Sequence, residues 1–183
     1  MVIVDHAFAL HITWTTYGSR LPGDERGYVS NTFVPGEGYR RKENSPETAS
    51  RADDAATRER ARNLQKWPTV YLTAVEAIAA ARCLVETAQR YGWRIPRAAL
   101  MANHAHVLVM DCAADGPAVR RVLKGNTQAH LSKNHGSPRV WWTTGGSDRA
   151  KHGQEAIEGT IKYIADQEYK LAEIIDMKVF ECT

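Results

Sequence analysis

Between Ala7 and Tyr17 the chain alternates strictly. Phe8, Leu10, Ile12 and Trp14 fall on one side, and Ala9, His11, Thr13 and Thr15 on the other. This period of two predicts a strand with one buried face. From Gly18 to about Trp67 the pattern dissolves into five glycines and three prolines among few apolar residues. That composition predicts an excursion out of the core, a lid or a surface insertion at about 18–67. Within it, Ser45-Pro46-Glu47 is a helix-start signal, an N-cap residue followed by proline.

Regular periodicity resumes at Thr73-x-x-Glu76, a capping box. Ile78, Ala81, Val85 and Ala88 then recur at helical spacing, and Gly92 closes the helix. A strand is expected over about Arg97 to Met110, and a helix from Pro117 to about Asn134. Arg139 to Thr144 is a short tryptophan-rich strand candidate. A last helix, from about Gln154 to Asp176, carries Ile157, Ile161, Ile164, Leu171 and Ile175 as its buried stripe. One more strand fits near Val70 or Val179. The economical arrangement is α+β, one domain over residues 1–183, with a four- to five-stranded, largely antiparallel sheet and helices packed on it.

Composition leaves that picture intact and removes several classes. The 183 residues are 43% hydrophobic and 25% charged, ordinary for a soluble globular chain. No apolar run approaches the roughly 20 residues of a membrane span, and no secretory leader is expected. Cys83, Cys112 and Cys182 form no close pair and fit reduced cytosolic thiols. The net charge of +3 is unevenly spread. Gly116–Lys151 holds seven basic residues against one acid, a net of +6, whereas His152–Thr183 carries −4. An anion-binding face beside an acidic scaffold produces this asymmetry, as do solvated helix faces that merely differ.

The sharpest local chemistry is His104-Ala105-His106. Alternate strand positions share a face, so both imidazoles project together, about 7 Å apart at the backbone. Two ligands of one divalent ion fit this arrangement, as do two histidines hydrogen-bonded at a sheet edge. Tyr163-x-x-x-Gln167 offers an i, i+4 pair on one helix face, with the small residues Ala156 and Thr160 one turn back. Together the two patterns make one coherent site, with a metal as Lewis acid on a phosphate oxygen and tyrosine as nucleophile.

These residues carry a resemblance. Met101-Ala102-Asn103-His104-Ala105-His106-Val107-Leu108-Val109 resembles the histidine–hydrophobe–histidine strand of the HUH endonuclease superfamily, in particular single-tyrosine transposases of the insertion-sequence-200 type. Tyr163-Ile164-Ala165-Asp166-Gln167 is similar to their tyrosine-helix motif. Leu10–Gly18 and Leu21–Gly27 resemble the REP-associated branch, and Leu123-Lys124-Gly125 the start of its basic helix.

The resemblance implies a metal-dependent single-stranded DNA endonuclease and strand transferase acting on hairpin or palindromic DNA. Tyr163 would form the 5′-phosphotyrosine link, and His104, His106 and Gln167 would hold Mg²⁺ or Mn²⁺. His11 and Asn103, which lie in the same motifs, are candidates to support the site. Arg120, Arg121, Lys124 and Lys133 are the expected DNA-backbone contacts. Trp142, with Trp141, is a candidate for base stacking. A cytoplasmic, nucleoid-associated protein is expected, with single-stranded or hairpin DNA as partner, no membrane, and room for a homodimer.

Other classes compete. A two-histidine phosphoesterase would use His11-Ile12-Thr13 and His130-Leu131-Ser132, yet His130 falls in a helical pattern. A domesticated hairpin-DNA-binding protein would keep the fold without transposition. A rolling-circle initiator would need a helicase domain for which the chain has no room.

Overall fold

The computed structural model describes residues 7–24, 32–34, 38–40, 54–136 and 139–182. The chain divides into two compact units, one of residues 1–17 with 70–183, the other of residues 18–69.

The larger unit is built on a six-stranded sheet. Its strands are β1 (Phe8–Thr15), β4 (Arg94–Met101), β5 (His104–Met110), β6 (Ser147–His152), β7 (Lys170–Ile175) and β8 (Lys178–Glu181), and its helices are α2 (Ala74–Tyr91), α3 (Gly116–His135) and α4 (Gln154–Ala165). The order across the sheet is β6-β1-β5-β4-β7-β8, with every neighbouring pair antiparallel. The smaller unit holds the hairpin β2 (Thr32–Val34) and β3 (Gly38–Arg40), and α1 (Ala55–Asn63). Asp54 caps α1 by accepting from the Ala56 and Thr57 amides. The helix start expected at 45–47 lies outside the described residues.

The α+β class and antiparallel sheet are as expected, and so is the alternation of β1. Leu10, Ile12 and Trp14 enter the main core, where α2 and α3 cover the sheet with Ala81, Leu84, Val119 and Leu123. The Thr73 capping box is complete, and Gly92 ends α2 at φ 69. A left-handed residue there is cheapest as glycine. The opposite face carries a smaller core of Ala9, Ala99, Met101 and Leu108 under Ile157 and Ile164 of α4.

Three expected elements differ. The single strand over 97–110 is a hairpin, with β4 and β5 paired up to Leu100 opposite Ala105. The chain reverses there without a glycine, a proline or a positive φ to mark it. The helix expected to reach Asp176 stops at Ala165, and the chain turns through Tyr169 at φ 55 into β7. Leu171 and Ile175 continue the helical spacing of α4 only by coincidence, because Ala172 and Ile174 are the buried positions, two apart. The tryptophan-rich segment makes one isolated bridge, Trp142 to Thr16, and the sixth strand is instead the polar Ser147–His152. β8 fills the place foreseen near Val179.

Candidate functional site

Antiparallel register carries the histidines to one place. On β5, His104 and His106 share the face of Leu108, opposite the buried Ala105 and Val107. On β1, Thr13 pairs with His106 and His11 with Leu108, so His11 stands diagonally next to His106 on the same face. The rings of His11 and His106 stack with centroids 5.3 Å apart, and His104 meets His106 edge-on at 5.1 Å. α4 crosses this face and lays the ring of Tyr163 against both, 5.4 Å from His106 and 5.8 Å from His11. Tyr163 is half exposed.

Hydrogen bonds set the ring nitrogens. Asn103 Oδ1 lies 2.6 Å from His104 Nδ1. A carbonyl oxygen can only accept, so Nδ1 carries the proton and Nε2 the lone pair. His106 Nδ1 is engaged by His11 Nε2 at 3.2 Å. Burial, with the charges of Lys151 and Arg149, pulls His11 down from 6.5 to about 4. Burial, with His104 and His11, pulls His106 down to about 3. Both rings are therefore neutral at physiological pH, the form in which imidazole ligates a metal.

A pocket of about 580 Å³ opens in front of these rings. Its walls are His11 and Thr13 of β1, His106 of β5, Ser147, Arg149 and Lys151 of β6, and Ala156, Gly159, Thr160 and Tyr163 of α4. Small residues one and two turns before Tyr163 leave this space. Gly159 has nothing within 4 Å of where a Cβ would stand.

Gln167 follows the end of α4, and its side-chain Nε2 donates to the Tyr163 carbonyl at 3.0 Å. The residue therefore lies beyond the helix rather than one turn along it. Among the described residues no cluster of three or more His, Cys, Asp or Glu side chains has metal-binding geometry. A site of two imidazoles and an amide oxygen would not be such a cluster. The tautomer of His104 and the neutrality of His106 leave two imidazoles in the ligating form, whereas the Gln167 amide, whose nitrogen is bound to the Tyr163 carbonyl, is not among the residues that line the pocket.

The basic residues expected on α3 have divided roles. Lys124 Nζ donates to the carbonyls of Thr143, at 2.6 Å, and Gly145. Burial, then Arg120, pulls its ammonium down to about 8. Arg120 pairs with Asp148 and donates to the Gly146 carbonyl. These two side chains hold the 143–146 loop against α3. Arg121 and Lys133 are exposed. Trp142 is 6% exposed, its Nε1 donating to Thr127 Oγ1 at 3.0 Å and its ring edge-on to Trp14. Trp141 is fully buried. Trp142 is therefore packed largely into the core, at the wall of a second cavity. That cavity, of about 490 Å³, lies over α3 between Arg121 and Gly145.

Arg149 and Lys151 fall within the basic stretch, yet sequence reasoning does not single them out as site residues. Their one signal is the alternation Ser147-x-Arg149-x-Lys151, a strand pattern without apolar residues.

No family model and no curated protein matches the sequence. Among solved structures, the chain is similar to a REP-associated tyrosine transposase bound to a REP hairpin, with a TM-score of 0.44 and 10% identity, covering 90% of this chain and 68% of that one. No helix among the described residues is long and apolar enough to cross a membrane.

Proposed function

We propose that this protein is a metal-dependent endonuclease and strand transferase for single-stranded or hairpin DNA, with Tyr163 as nucleophile. The observation that carries the reading is the placement of Tyr163 against His106 and His11 at the mouth of one pocket, with His104 alongside. A half-exposed phenol facing two neutral imidazoles is accessible to a phosphodiester and close to metal ligands.

His104, His106 and Gln167 would hold Mg²⁺ or Mn²⁺, which supplies Lewis-acid polarisation of a phosphate oxygen. The chain's own residues do the rest. Asn103 orients His104, and His11 orients His106, each through Nδ1. Packing of Ile164 and Ile157 against the sheet fixes α4, and so fixes where Tyr163 stands. Tyr163 Oη bonds to phosphorus as the bond from phosphorus to the 3′ oxygen breaks. The phenol gives up a proton and the departing 3′ oxygen gains one. A 5′-phosphotyrosine and a free 3′-hydroxyl result. Attack by another 3′-hydroxyl reverses the step and joins strands, with the phosphodiester energy conserved in the protein link.

The test is incubation with a labelled single-stranded hairpin oligonucleotide and Mn²⁺ or Mg²⁺, followed by denaturing electrophoresis. A metal-dependent covalent protein–DNA species is expected. Binding without any such species would sink the reading, and is what a hairpin-binding protein without transposition would give.

A further inference from the structure

The strongest positive charge facing the pocket is not on the basic helix. We propose that Arg149 and Lys151, on edge strand β6, are the seat for the phosphodiester backbone of the DNA strand that enters the pocket beside His11, His106 and Tyr163. The proposal rests on the reading of this pocket as the reaction site, and adds which residues grip the substrate.

Register puts both cations at the pocket. Arg149 pairs with His11 and Lys151 with Ala9, so both lie on the histidine face of the sheet, one strand away from the imidazoles. Being two apart on a strand, they point the same way, about 7 Å apart at the backbone. Neighbouring phosphates along an extended strand have a comparable repeat. Both line the 580 Å³ pocket together with the hydroxyl residues Thr13 and Ser147.

Their charge is also uncommitted. Arg120 and Lys124 are engaged by Asp148 and by loop carbonyls. The side chains of Arg149 and Lys151 form no hydrogen bond or ion pair with another described residue, while Asp148, next to Arg149 in sequence, is turned away to Arg120. Two cations whose acid neighbour is neutralised elsewhere leave a local field suited to an anion. Among the described residues β6 is the outermost strand beside β1, with only β1 hydrogen-bonded to it in the sheet. A strand of DNA can therefore pass along that edge and still present a phosphate to Tyr163.

The experiment measures binding of a fluorescent single-stranded oligonucleotide by anisotropy in EDTA, across a range of NaCl concentrations. Wild type is compared with Arg149→Gln/Lys151→Gln and with Arg82→Gln/Arg90→Gln, which removes equal charge from exposed positions of α2 on the other face of the sheet. Removing two phosphate contacts should flatten the slope of log K against log salt by about 1.4, at roughly 0.7 per single-strand contact. The α2 pair should leave the slope unchanged. Single Arg149→Lys should keep the wild-type slope, since a cation remains. An unchanged slope in the β6 pair, or an equal loss in the α2 pair, overturns the proposal. Should the β6 pair fold poorly, Lys151→Gln alone, with an expected loss of about 0.7, decides it. Because no metal or chemistry is involved, a flattened slope together with no covalent adduct would reject the proposed reaction and leave this assignment standing.

Discussion

His11 Nε2 lies 3.2 Å from His106 Nδ1, although 95 positions separate the two residues in the chain. One proton is shared across that contact, and its location decides what His106 can do. When His106 Nδ1 donates, Nε2 keeps a lone pair for a cation, and His11 holds its own proton on Nδ1. His104 is set the same way by Asn103. Strand β1 and the turn between β4 and β5 thus each place a side chain at the Nδ1 of a candidate ligand, and with the proton on His106 Nδ1 both ligands share one tautomer.

The same burial makes the fold acid-sensitive. His11 and His106 are held near 4 and 3, below the ordinary 6.5 of an unfolded histidine. As pH falls through 6.5 the unfolded chain takes up these protons and the folded one does not, so stability declines. The decline from these groups ends only below about pH 3. In urea unfolding with EDTA between pH 7 and 4.5, His11→Gln should lose stability less steeply than wild type. The difference should reach about 1.2 kcal/mol per pH unit near pH 5. Parallel slopes would show that His11 titrates normally in the fold.

The apolar spacing after Gln154 predicts Tyr163 and Tyr169 on one helix, but the two stand on different elements. Tyr169 is 87% exposed in the turn after α4, at φ 55, whereas Tyr163 stands over the histidines. Tyr163→Phe should retain the fold and oligonucleotide binding and reduce the covalent adduct below detection. Tyr169→Phe should form adduct at the wild-type level. An adduct in the Tyr163→Phe protein would move the nucleophile elsewhere.

What is legible in the sequence follows from how each signal arises. β1 and α2 each bury one face against a core, so their periods of 2 and 3.6 are written in apolar residues. The His104-x-His106 face is legible for the same reason, since alternation on a strand does not depend on its neighbours. Register is not legible. That His11 meets His106, and that Arg149 stands opposite His11, follow from pairings between segments some 90 to 140 residues apart. β6 goes unmarked because an edge strand with mostly open faces has little need of apolar residues. The end of α4 is hidden because Leu171 and Ile175 extend its spacing, with no glycine or proline before β7.

On α3, neighbouring cations should separate into structural and exposed roles. Lys124→Ala deprives the Thr143 and Gly145 carbonyls of their donor. A cost of about 1–2 kcal/mol is expected, lowering Tm by roughly 3–6 °C. Arg121→Ala, at an exposed position, should change stability by less than about 0.5 kcal/mol. Differential scanning calorimetry of the two variants distinguishes them, and equal Tm values would mean that the Lys124 bridge contributes nothing net.

Two glycines on the same helix should respond with opposite sign. A Cβ on Gly116, at the start of α3, would stand 2.7 Å from Asp148 Cβ and 2.8 Å from Asp148 Oδ2. Asp148 cannot simply rotate aside, because it pairs with Arg120. Gly116→Ala must therefore push β6 from α3 or break that pair, at an expected cost of about 1–3 kcal/mol. Gly125, mid-helix and exposed, has nothing within 4 Å of the same position. Gly125→Ala only removes backbone freedom from the unfolded chain, and should stabilise by about 0.5–1 kcal/mol. Urea midpoints moving in opposite directions are the expected result. A neutral Gly116→Ala would mean that α3 and β6 can shift apart without loss, which would in turn loosen the strand that carries Arg149 and Lys151.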